Sequence, residues 1–457
     1  MRGLVWGAKS PGLAIWVAIL VALTALYFAW PVWRAFLPLQ IVESDAWNAF
    51  QADQISLGHP LYPEPSRLLN NNYPPLSFYL VSALSSVTGL DAMLVGRLLS
   101  LLGLVAAGLA IFAVTRQLGA SLIGGLVGAL SFVATMARFY ALYVGVNDPN
   151  PVALAITMWA LVWFFQRLKR GRAVEPAIMV MAVAGFYKHT VLAVPAASLG
   201  YLAFRDPKLA LRAGLVGLGT AALGLALCGL VYGYAFFQNL MMPREYSLMR
   251  SLSHLGSLQW IAPSLVIFGV WAWNRRQEQA ARFTGLFAFV AFITQLIQQT
   301  GAGTGANAQF ELAVAGAIGV GLAFSDIAAI PLVQRWGVER GRSAIILILV
   351  ARLVLSSRMA PYLLFVSPDF HGVLQQRVMV AKSEIARISA IPGPVACSVM
   401  AVCRWAGKPF LYDRFAVEQR VATGRISQSV IDEQVHSLGI RFETIDPLTD
   451  LDRIRPP

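Results

Sequence analysis

What most constrains this chain is a series of eleven apolar stretches of spanning or near-spanning length. They fall at about 12–33, 93–114, 120–140, 150–166, 174–187, 190–204, 211–237, 257–273, 283–299, 309–328 and 343–357. A helix needs roughly 20 apolar residues to cross a bilayer, and lipid offers no partner to open backbone, so a chain of this kind folds as a helical bundle. Composition agrees: 57% of the 457 residues are hydrophobic and only 13% charged. The expected fold is an all-α polytopic membrane bundle of about 11 transmembrane helices.

A net charge of +13 in a soluble chain would suggest nucleic acid. Here the basic residues fall in short clusters between apolar stretches, as topology requires, so no nucleic-acid partner is expected. With a cytoplasmic N-terminus, the clusters Arg116, Arg167–Arg172, Arg205–Arg212, Arg275–Arg282 and Arg335–Arg342 occupy every second loop. The run from about Leu13 to Trp30, preceded by Arg2 and Lys9, exceeds the roughly 7–15 residues of a signal-peptide core and lacks a clear cleavage site; it reads as an anchor.

The charge parity holds only if residues 74–90 do not cross. They are too short to span, and Pro74-Pro75 suits a helix start. Both they and the amphipathic stretch 46–57 read as helices lying in the outer interface, within a first outer loop covering 35–92. The stretches 174–187 and 190–204 are short and interrupted, a pattern that marks polar backbone lining a cavity. From about residue 368 charges become much denser. Segments 393–401, 408–413 and 441–446 read as strands, and 378–390 and 427–438 as helices, giving a small extracytoplasmic α/β domain at 368–457 after a membrane domain at 1–367. Cys228 reads as a packing residue, while Cys397 and Cys403 can pair only in an oxidising compartment. No metal-ligand spacing of Cys and His occurs.

This topology puts the candidate polar groups on one side: Glu43, Asp45 and Tyr73 in the first outer loop, Arg138 and Asp148 around the second, Lys188 and His189 in the third, and Gln295, Gln298, Gln299, Asn307 and Glu311 around the fifth. Convergence from separate loops suggests a site. A carboxylate at a bilayer boundary is costly, which marks Asp45 as a functional candidate. Each residue also has a plainer role. Asp45 and Asp148 suit helix caps, Lys188 can snorkel to the interface, His189 can be a bonded turn residue, Arg138 can anchor at the interface, and Glu311 needs only a partner. Arg97 would be neutralised inside the bundle.

The acidic residue after the first span, followed by "GHPLY" (58–62), "NNYPPLSFYL" (71–80), "NDPNPVALAI" (147–156) and "GFYKHTVLAVPAA" (185–197), resembles the GT-C glycosyltransferases. These take sugar from a polyprenyl-phosphate carrier. The resemblance is nearest to the branch of protein mannosyltransferases and lipid A aminoarabinose transferases and covers about residues 10–330; the tail segment 391–419 is also similar to bacterial members. It implies that Asp45 is the catalytic aspartate, Asp148 the second-loop acid and Lys188 the lysine of the short-helix turn. Where some relatives carry lysine before the double proline, this chain has Tyr73, so Lys188 or Arg138 must supply the charge that faces the donor phosphate.

The chemistry implied is an inverting transfer. A sugar on a lipid phosphate leaves behind an anion, so one base suffices, unlike the paired carboxylates of glycoside hydrolysis. Asp45 would take the proton of an acceptor hydroxyl belonging to a glycan, lipid or protein. The expected setting is a bacterial inner membrane with the site facing the periplasm or exterior. No cofactor is required, although Asp45 with Glu43 or Asp148 could hold a divalent ion if they converge. The rival reading is a transporter or flippase for a lipid-linked or anionic solute, which an inverted repeat would favour; none is found. A third reading is a degenerate member that scaffolds partners.

Overall fold

The computed structural model describes residues 11–64, 68–356 and 359–445; Arg2, Lys9 and the end of the expected 441–446 strand lie outside them. Its first helices are α1 (Pro11–Ala35), α2 (Glu43–Ser56), α3 (Leu76–Thr88), α4 (Ala92–Gln117), α5 (Leu122–Phe139), α6 (Asn150–Lys169), α7 (Glu175–Tyr187), α8 (Ala193–Arg205) and α9 (Pro207–Tyr232). Short α10 (Tyr234–Leu240) and α11 (Leu248–His254) precede α12 (Ala262–Asn274), α13 (Gln279–Gln299) and α14 (Phe310–Ser325). Then come α15 (Pro331–Trp336), α16 (Val338–Val354), α17 (Ala360–Val366) and α18 (Pro368–Ala390). The tail adds β1 (Val395–Cys397), α19 (Met400–Trp405), α20 (Arg414–Ala422), α21 (Gln428–Ser437) and β2 (Arg441–Glu443).

Every one of the eleven apolar stretches carries a helix. Among the described residues seven helices are long and apolar enough to cross a membrane alone, and an eighth span results if the segments on either side of a 79° bend at Trp260–Ala262 count as one. The shortfall against eleven lies in α7, α8 and α16, where the apolar run is real but short. Helix α14 sits at the centre, with almost every residue buried, because its small residues let neighbours approach. Gly124 and Gly128 of α5 do the same: a Cβ on Gly128 would stand 2.7 Å from the Ala317 carbonyl oxygen of α14.

The two expected interfacial helices are present as α2 and α3. In the tail, β1 and β2 pair in parallel, Ala396 opposite Phe442. Residues 408–413, expected as a strand, form none; Pro409 removes a ladder donor there. Cys397 and Cys403 form a disulfide, and Cys228 is a buried free thiol. The tail is fastened to the first outer loop: Arg404 bonds Asp53 and Asp91, both at 2.7 Å, and the Ala401 N–H donates to Gln40 Oε1 at 2.9 Å.

Candidate functional site

Two acids stand two residues apart in the first turn of α2 and face opposite ways. Asp45 points inward and is fully buried. Its carboxylate pairs with Arg97 of α4, accepts the Asn147 N–H at 2.9 Å and accepts the Ile41 N–H at 3.3 Å. Arg97 also donates to the Ala35 and Leu37 carbonyls at 3.1 and 2.8 Å, closing the end of α1 over the pair. Gly96 makes room, since a Cβ there would overlap the Asn147 side chain. All acceptor capacity of Asp45 is thus spent within the protein, and it lines no cavity. In this arrangement Asp45 ties α1, α2, α4 and the 144–149 loop together, while Glu43 of the same turn is the acid that lines a cavity.

Glu43 faces a cavity of about 350 Å³ walled by the first outer loop, the α7–α8 turn, the loop after α10, the loop before α14 and the start of α20. Burial lifts its carboxyl above the usual range, Arg414 opposing and Glu418 adding. Lys188 and Arg244 line the same cavity, with Trp47, Tyr73, His189 and Asp413 also on its wall. The Tyr73 ring lies flat over Lys188, with Nζ 3.0 Å from its centroid. Tyr73 is held by Tyr62, whose hydroxyl donates to its carbonyl at 2.9 Å, and by Asn71, which accepts its N–H at 3.1 Å. Burial pulls the Lys188 ammonium down to about 7, Asp148 resisting and Arg244 reinforcing. His189, buried beside Lys188 and Arg244, is held down to about 3 and is neutral near pH 7.

The other expected residues are elsewhere. Asp148 accepts the Asn150 N–H at 2.8 Å, a local turn bond ahead of α6, whose N-cap is Pro149; its charge acts on Lys188, but it does not line the cavity. Arg138 is buried between the rings of Tyr27 and Tyr362 and donates to the Leu353 carbonyl at 3.2 Å, far from the site. Glu311 accepts the N–H groups of Leu192, Ala193 and Val194 at 3.1, 3.0 and 2.9 Å, so it anchors the start of α8 from α14 and does not line the cavity. Gln298 Nε2 donates to the Thr190 carbonyl at 3.0 Å and helps fix the α7–α8 turn.

Arg244 and Asp413 were not anticipated. Arg244 sits in a loop that charge parity places outside, where a basic residue departs from the positive-inside pattern; that departure was the available signal. Asp413 comes from the tail. It caps α20 through the Ala416 N–H at 3.0 Å and accepts from Trp47 Nε1 at 2.9 Å. Burial pushes its carboxyl up to about 6, against those two hydrogen bonds. Among the described residues no three His, Cys, Asp or Glu side chains gather into a metal-binding group.

A cavity lined by a raised carboxyl and two basic side chains suits a phosphate-bearing molecule beside a group that gives up a proton. The architecture around it matches solved structures. ArnT from Cupriavidus metallidurans bound to undecaprenyl phosphate superposes with a TM-score of 0.59 at 13% identity, over 90% of this chain and 88% of that one. The oligosaccharyltransferase AglB from Archaeoglobus fulgidus, in complex with an inhibitory peptide and a dolichol-phosphate, gives 0.54 at 11% identity, over 96% and 70%. The chain has a GT-C-type fold. It is an integral membrane protein. No family model and no curated protein matches it by sequence.

Proposed function

We propose that the chain is an inverting glycosyltransferase that moves a sugar from a polyprenyl-phosphate donor to an acceptor hydroxyl, with Glu43 as base. The carrying observation is a single cavity lined by Glu43, Lys188 and Arg244. Support comes from the GT-C-type fold, from the undecaprenyl phosphate in ArnT and from the dolichol-phosphate in AglB.

The donor phosphate sits against Lys188 and Arg244, which gain strength as charge builds on the departing oxygen. Lys188, drawn down to about 7 by burial, acquires its proton as the phosphate enters. Tyr73 steers the ammonium and shields it from water. The acceptor hydroxyl attacks the anomeric carbon from the side opposite the phosphate; the carbon–oxygen bond to phosphate breaks, and Glu43 takes the hydroxyl proton. The raised Glu43 carboxyl is a stronger base than an exposed glutamate. Asp413 holds Trp47 in the wall. This scheme needs no metal. The site faces the periplasm or exterior of a bacterial inner membrane.

The test is transfer from radiolabelled undecaprenyl-phosphate sugars by the purified full chain in nanodiscs, wild type against Glu43→Gln. Loss of transfer with donor binding retained supports the reading. Equal turnover in the two proteins removes Glu43 from the chemistry, and solute uptake without new glycosidic bonds replaces the enzyme with a transporter.

A further inference from the structure

A second, larger cavity of about 690 Å³ lies between the tail and the first outer loop, and Val42 and Glu43 line both it and the first. We infer that this second cavity is a binding cleft for a neutral carbohydrate chain. Resting on the transferase reading, it is where the acceptor lies, with its reactive hydroxyl reaching Glu43 from the tail side.

Three observations define its ligand. The first is aromatic surface on both walls. Phe50 of α2 stacks on Phe410 of the tail at 4.8 Å, and Tyr412 meets Phe442 edge to face at 4.9 Å. Phe442 is 56% exposed, which leaves part of its ring open at the cleft. The second is charge. Glu43, Glu418 and Glu443 line the cleft; Glu418 is bonded to Arg414 at 2.7 Å and Glu443 to Arg387 at 2.9 Å, so the charge left without an ion pair among the described residues of the lining is the carboxylate of Glu43. The third is free backbone. The N–H groups of Phe410, Leu411 and Tyr412 make no hydrogen bond among the described residues, although the segment lines the cleft.

A pyranose ring combines an apolar C–H face with a rim of hydroxyls that donate and accept. Flat aromatic rings, carboxylate acceptors and unused N–H donors together answer all three needs. A phosphorylated head group would instead meet the Glu43 carboxylate and an arginine already committed to Glu418, while the neighbouring cavity offers Lys188 and Arg244. The two cavities therefore sort anionic donor from neutral acceptor by sign of charge. A polypeptide added as a strand would need a sheet edge, and β1 and β2 have three residues each.

The experiment measures binding to the full chain in nanodiscs. The probes are an array of neutral di- to hexasaccharides of glucose, galactose, mannose and rhamnose, a Ser/Thr-rich decapeptide, and undecaprenyl phosphate. At least one oligosaccharide is expected to bind saturably, and Phe442→Ala and Glu418→Gln, both at exposed positions, are each expected to weaken it tenfold or more. Neither is expected to change undecaprenyl phosphate affinity beyond twofold. Absence of binding across the whole array, binding indifferent to both substitutions, or capture of the decapeptide in place of sugar overturns the proposal. If the oligosaccharide binds and undecaprenyl phosphate does not, the donor reading fails and the cleft stands.

Discussion

The interior knot around Asp45 and the cleft around Glu43 use the same materials, a carboxylate and a guanidinium on neighbouring elements, to opposite ends. In the knot, Arg97 and Asp45 satisfy each other and the surrounding backbone, and every donor and acceptor is committed. In the cleft, Glu43 forms no ion pair among the described residues, while Lys188 meets an aromatic face and Arg244 lies over the Phe415 ring and reaches the Ala302 carbonyl at 3.4 Å. Completed charge contributes rigidity; incomplete charge leaves affinity for something that arrives later. Helix α2 carries both residues, so the knot holds still the helix from which the cleft works.

This contrast can be broken most decisively at Glu43. Glu43→Gln is expected to lower transfer about 10²–10⁴-fold, the usual worth of a general base, with the unfolding midpoint unchanged. Arg97→Ala should do the reverse: stranding a buried carboxylate costs about 3–5 kcal/mol, read as a lower thermal transition and poorer folded yield in detergent, while the folded fraction keeps its turnover. Should Arg97→Ala leave stability intact, the knot has been misread. Smaller effects belong to the cations. Lys188→Ala and Arg244→Ala should each weaken undecaprenyl phosphate binding about 10–100-fold, the range of a charge-assisted hydrogen bond worth about 1.5–3 kcal/mol.

The least dramatic expectation concerns pH and sharpens the division of labour. Glu43, lifted by burial, must lose its proton to act, so kcat/KM should rise with pH through a point above the ordinary glutamate range. Lys188, lowered to about 7, must hold its proton to attract phosphate, so the same quantity should fall above neutrality. Because Arg244 helps to depress Lys188, Arg244→Ala should move the falling limb to higher pH. An unmoved limb would mean that another group sets it.

Much of the scaffold was legible because hydropathy and charge clusters act over whole segments. The eleven apolar stretches, the two interfacial helices and the tail helices 378–390 and 427–438 all correspond to helices of the fold. The direction in which a single side chain points was not legible. A helix turns 100° per residue, so Glu43 and Asp45 stand roughly 200° apart, and choosing between them requires knowing where Arg97 is. That partner is 52 residues away in sequence. Glu311 looked like a ligand-binding acid for a similar reason: its three N–H partners belong to α8 and become visible only when α14 packs against it. Asp413 lies beyond any local pattern, because it reaches the cavity only by docking of the tail onto the first outer loop.

The Cys397–Cys403 bridge closes the short loop whose Ala401 N–H grips Gln40, three residues before Glu43. On the proposed function, catalytic competence would then be coupled to thiol oxidation during biogenesis. Protein made where those cysteines remain reduced would reach the membrane with its helices intact, yet with one clasp on the base-bearing segment unfastened. Preparations from hosts of differing oxidising capacity should then vary in specific activity at equal yield.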